Sequence, residues 1–146
     1  MKKKIMKILL FVLPFMALIL ATTNNSVQLI NMSTGEKVVG SYFTMLGNTT
    51  VSVCPVLAAL CSVVSSVAAF VWLFAKKWGI MRVSAWASFA GACIAVIPVA
   101  VRGETLLLPN VIFPILLFVH FVISAFSQKL NFQEKEQPQG RRLERH

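Results

Sequence analysis

The chain has no aspartate, and only 5 acidic residues, all glutamate, among 146. None of the glutamates falls inside a long apolar run. That excludes a proton-coupled exchanger of the small multidrug-resistance kind, which alternates a proton and a cationic substrate on an intramembrane carboxylate. It also argues against pumps built on carboxylate relays. Histidine is nearly as scarce, with only His120 and His146. Without aspartate there is no Ser-His-Asp triad, and no His-Glu pair has the spacing of a zinc site. A glycine-rich phosphate loop is missing as well.

The 3 cysteines do not make a disulfide scaffold. Cys54 and Cys61 are seven residues apart, two turns of helix, which is too far to bridge within a regular helix. Cys61 and Cys93 reach similar depth on neighbouring helices, but thiols at such depth are inert, so all three read as small buried hydrophobes. No catalytic residue, cofactor or metal site is assigned, and the expectation is a protein that is not an enzyme.

Hydrophobic residues make up 57% of the chain and charged residues 13%, with a mean hydropathy of +0.75. Soluble domains carry roughly 45–50% and about 25%. A nucleic-acid binder is therefore not expected, despite the net charge of +9. Four apolar runs are long enough to cross about 30 Å of hydrocarbon. They cover about 5–22, 51–75, 80–101 and 106–127. The first has the basic start and small residue (Ala21) of a signal peptide, but Ile19 is a poor residue two places before that cleavage point, so it reads as a retained span.

Charge supplies the orientation. Lys2, Lys3, Lys4 and Lys7 open the first run, Lys76, Lys77 and Arg82 flank the second turn, and Lys129, Lys135, Arg141, Arg142 and Arg145 follow the fourth. With four spans these share one side, leaving Lys37 and Arg102 on the other. The positive-inside bias then places both termini in the cytoplasm. The basic termini are expected to attract anionic lipid headgroups. Residues 128–146 are polar, contain Pro138 and Gly140, and read as a disordered basic tail.

Between the first two spans, residues 23–50 form an outer segment with two β-prone runs, 27–32 and 37–43, around the turn-forming Ser33-Thr34-Gly35-Glu36. A short extracytoplasmic β-hairpin is expected there. Asn24, Asn31 and Asn48 each begin an Asn-x-Ser/Thr triplet, which in a segment this rich in such residues reads as coincidence rather than as glycan acceptors. The overall expectation is an all-α membrane protein, a four-transmembrane-helix antiparallel bundle over residues 1–127 with that hairpin between helices 1 and 2. This layout resembles that of the claudins, although residues 23–50 have none of the Trp, the Gly-Leu-Trp triplet or the two Cys of the claudin first outer segment. The resemblance implies only that four spans and an outer β-element can serve side-by-side assembly.

Three groups of residues merit attention. Ser84, Ala87, Ser88, Gly91, Ala92 and Ala95 put small side chains on ridges of the third helix, which lets backbones approach closely. The ridge joins helices within one protomer or faces a neighbour, and in the second case Gly91→Leu blocks assembly. Ser62, Ser65 and Ser66 form the one candidate polar stripe, and His120 is the one imidazole deep in a span, expected to hydrogen-bond another helix. These features suggest a protein that self-assembles laterally in the bilayer as a pore or scaffold. The alternatives are an accessory or immunity-type subunit on a larger membrane partner and, more weakly, a bundle binding lipid or a small molecule at His120.

Overall fold

The computed structural model describes residues 2–24, 27–30, 35–44, 53–102 and 108–143. Four helices dominate: α1 (Lys2–Thr22), α2 (Val53–Ala75), α3 (Trp78–Arg102) and α4 (Leu108–Leu143). Each contains a stretch long and apolar enough to cross a membrane, so the chain is a multi-pass helical membrane protein. Helix limits agree with the sequence reading to within three residues, except at the end of the fourth. There α4 continues through residues 128–143, where a disordered tail was expected. The exposed large side chains, among them Ile8, Ile19, Val67, Phe74 and Phe126, form the outward faces, as in a protein solvated by lipid.

Contacts run round a ring. α2 packs most extensively on α3, α3 on α4, and α1 closes the circuit against α4 and α2. The interior is arranged in three layers. At one end Ala17, Ala21, Ala58, Ala59, Ala92, Ala95, Phe113 and Leu117 form an apolar cluster. At the other, Leu10, Trp72 and Met81 form a second, with Ile123 and Trp78 packed against it. Between them lie the buried Pro14, Ser62, Ser65, Ser66, Ser84, Ser88 and His120. Alanine and serine predominate because small side chains let helices approach in lipid, where no hydrophobic effect drives them together.

Two short strands, β1 (Val27–Ile30) and β2 (Lys37–Gly40), pair antiparallel with Val27 opposite Gly40 and Ile30 opposite Lys37. Gly35 takes φ 69, the left-handed conformation the turn chemistry anticipates. Ser33, Thr34, Asn31 and Asn48 lie outside the described residues, while Asn24 is exposed. After β2, Tyr42 tucks into the first apolar cluster: it is 3% exposed, stacks on Phe113 with ring centroids 4.3 Å apart, and its N–H donates to the Ala21 carbonyl at 3.2 Å. The strands are thus anchored to α1 through the Tyr42 backbone and to α4 through its ring.

Burial pushes the Tyr42 phenol above its ordinary value of 10.0, because the charged form loses its hydration. A group of this sign contributes stability that is fully present below about pH 10 and lost as pH rises above it. Tyr42 is the only tyrosine, so absorbance at 295 nm reports it alone among phenols. The expected result is no phenolate signal at pH 10.5 in folded protein, with the signal appearing together with loss of structure. Half-titration near pH 10 in folded protein would show the ring to be solvated.

The α2–α3 connection is two residues long, Lys76 and Lys77. Lys76 adopts φ 52, and its N–H donates to the Trp72 carbonyl at 2.8 Å, closing α2 with a left-handed cap. Such a cap usually holds glycine, since an L side chain there costs about 1 kcal/mol.

Candidate functional site

The middle layer holds the polar chemistry of the bundle. Ser65 on α2 faces α3: its Oγ lies 2.6 Å from Ser88 Oγ and 3.1 Å from Ser84 Oγ. Ser84 Oγ donates in return to the Ser65 carbonyl at 2.8 Å. Ser88 Oγ then meets His120 Nδ1 on α4 at 2.8 Å. On the α1 side, Ser66 Oγ donates to the Pro14 carbonyl at 3.0 Å. Four helices are therefore joined through five buried side chains and two backbone carbonyls.

Proline explains why the layer forms where it does. In an α-helix the N–H of residue 14 would bond the carbonyl of residue 10, but Pro14 has no N–H, so the Leu10 carbonyl lacks its helical donor. The His120 imidazole approaches the Leu10 backbone. His120 Nε2 itself has no hydrogen-bond partner among the described residues. Ser84 Oγ donates to the Ser65 carbonyl, whereas the donor between Ser88 Oγ and His120 Nδ1 follows the tautomer of the ring.

The three sequence-identified groups converge. Ser84, Ser88, Gly91, Ala92 and Ala95 are buried, with Ala87 half-buried beside them. The ridge packs inside the protomer: a Cβ built at Gly91 lies 3.0 Å from Cys61 Cβ, 3.1 Å from Leu117 Cδ1 and 3.4 Å from the Ala58 carbonyl oxygen. This is where α2, α3 and α4 meet. Ser62, Ser65 and Ser66 are likewise buried, and the Ser62 hydroxyl donates to its own helix at Ala59. Ser65 reaches α3 and Ser66 reaches α1 from this stripe.

Other sequence readings are redistributed. Cys61 opposes Gly91 while Cys93 is exposed, so these two do not pair. Trp72 is buried with its ring 5.6 Å from that of Trp78 and tilted 57° to it, whereas Trp86 turns outward at 64% exposure. Trp86 belongs to an aromatic seam on α3 and α4, with Phe89, Phe118 and Phe121 linked by ring contacts of 4.9–6.4 Å. A second seam crosses α1 and α2, formed by Phe11, Phe15, Phe70 and Phe74. Sequence reading did not identify either seam. The spacing Phe118, Phe121 and Trp86, Phe89 (three residues apart in each case) is the signal that could have found one face.

Among the described residues, no group of three His, Cys, Asp or Glu side chains is placed to hold a metal ion. No family model, curated protein or solved structure matches the chain.

Proposed function

We propose that this protein is a non-enzymatic membrane subunit that associates side by side with further copies of itself, with both termini in the cytoplasm. The observation that carries the reading is the pair of aromatic seams. α1–α2 and α3–α4 are opposite sides of the ring of helices, and each presents exposed rings: Phe70 and Phe74 at 48% and 74%, Trp86 and Phe118 at 64% and 51%. Two unlike faces on opposite sides suit a head-to-tail contact, which closes into a ring when the rotation permits. Aromatic pairs across such a contact contribute beyond their area.

The small-residue ridge no longer supports assembly, because it is committed within the protomer. The filled interior likewise favours a scaffold, and a conduction path would have to run between protomers. The non-enzymatic reading is supported by His120, which is fully buried with Nδ1 already engaged by Ser88. The orientation is supported by the basic residues at the α2–α3 turn and the start of α1, which suit a cytoplasmic leaflet carrying anionic lipid.

Native mass of the protein released from lipid nanodiscs tests the assembly. A single stoichiometry of three or more, reduced by Trp86→Ala, is the expected result. A monomer at every protein-to-lipid ratio would transfer the reading to an accessory subunit that needs a different membrane partner. Orientation has a separate test, since a cysteine introduced at Gly35 should react with impermeant maleimide on intact cells. Protection of that site, with labelling at Lys76→Cys, would invert the topology.

A further inference from the structure

We propose that a site for a buried water molecule lies between α1 and α4, held by the Leu10 carbonyl, His120 Nε2 and the Ser124 hydroxyl. His120 and Ser124 are fully buried, and Nε2 and Oγ have no hydrogen-bond partner among the described residues. The two side chains share one face of α4, a single helical turn apart. The carbonyl comes from α1, which packs against α4. Pro14 leaves it without its helical donor, and the His120 ring approaches the backbone there.

A serine inside a helix can satisfy itself by donating to a carbonyl three or four residues earlier. Ser62, Ser66 and Ser127 do so, at 2.7–2.8 Å. Ser124 does not, so its hydroxyl is not folded back onto α4 and faces the interior unpaired. His120 engages Ser88 through Nδ1 and has Nε2 left over. Two unpaired polar atoms at one level of a dry interior are costly unless something small bridges them.

The chemistry of the three groups defines that ligand. No buried side chain among the described residues carries a fixed charge, so the ligand is neutral. The carbonyl only accepts, the hydroxyl donates or accepts, and Nε2 does one or the other according to the tautomer. The ligand must therefore be able to donate and accept at once. It must also be small. Leu117 bounds the site one turn back along α4, and the Leu10, Trp72 and Met81 cluster, with Ile123 packed against it, bounds the other side. Water meets these requirements, and a buried water makes about three such hydrogen bonds. Bound there, it joins α1 to α4, as Ser65 joins α2 to α3 and Ser66 joins α2 to α1.

The site does not depend on how protomers associate. Full-length protein labelled with carbon-13 and nitrogen-15 is placed in lipid bilayers, and magnetisation is transferred from water to protein in magic-angle-spinning NMR. Early transfer to the His120 ring and to Ser124, with none to Leu117 or Phe113, is the expected result. Ser124→Val puts a methyl group where the hydroxyl stands, so transfer to His120 should be lost. Pro14→Ala restores an N–H to the Leu10 carbonyl and should also weaken the transfer, which keeps the test available if Ser124→Val does not fold. A wild-type His120 as dry as Leu117 would overturn the proposal, as would transfer that survives in both variants. Equal transfer to His120, Leu117 and Phe113 would overturn it too, since water would then permeate the bundle rather than occupy this site.

Discussion

Gly91→Leu is expected to destabilise the folded protomer by about 3 kcal/mol, at the upper end of what overpacking a core costs. The reason is the identity of the obstructing atoms. Cys61 Cβ, 3.0 Å from the new Cβ, is bonded directly to backbone and cannot rotate away, although Leu117 Cδ1 at 3.1 Å can. Relief therefore requires α2 to move away from α3, and that separation strains the Ser65–Ser88 contact of 2.6 Å one turn away. Gly91→Ala meets the same first atom with a smaller side chain and should cost about 1 kcal/mol. Ala90→Leu, one residue earlier on the exposed face, should be tolerated. Thermal unfolding in detergent checks the series. A folded Gly91→Leu protein with an unchanged melt but a smaller oligomer would move this ridge to the surface between protomers.

The second large effect falls on His120. His120→Ala should cost about 2–4 kcal/mol, in the range of large-to-small core substitutions. Most of that is lost volume rather than a lost hydrogen bond. Interhelical hydrogen bonds in membranes average only about 0.6 kcal/mol, because the separated helices find other partners. Ser88→Ala, which removes the bond to Nδ1 but little volume, should therefore cost about 1 kcal/mol or less. If Ser88→Ala proves as damaging as His120→Ala, the hydroxyl chain acts as a cooperative unit and packing is the lesser term. A double-mutant cycle on the pair measures the difference.

The helices were legible in the sequence because hydropathy over about 20 residues is a strong one-dimensional signal, and the chain has four such runs with few interruptions. Ser65, Ser66, Ser84, Ser88 and His120 were legible too, since each is a polar residue in an apolar run and lipid penalises it unless it turns inward. What the sequence did not contain was direction. A ridge of Ser84, Ser88 and Ala95 has the same spacing whether it meets α2 or another protomer, and only the burial of both surfaces distinguishes them. The link between Pro14 and His120 was also out of reach. It depends on the carbonyl of Leu10, a backbone group released by a missing N–H and approached by a ring 110 positions along the chain. Long-range pairings of this kind leave no local pattern. The reach of α4 past Ser127 went unread because Pro138 and Gly140 are ordinary signs of helix termination.

The layering of the interior has a mechanical consequence. A helix that slid along its neighbour by one turn would travel about 5.4 Å and set hydroxyls against alkyl groups at both boundaries of the middle layer. The four helices are in effect keyed together, like gears that share one toothed ring at mid-height. Such a body cannot shorten itself by shear when the surrounding bilayer thins. It must lean as a unit or draw the lipid to its own height, so bilayer thickness acts on the whole bundle rather than on any single helix.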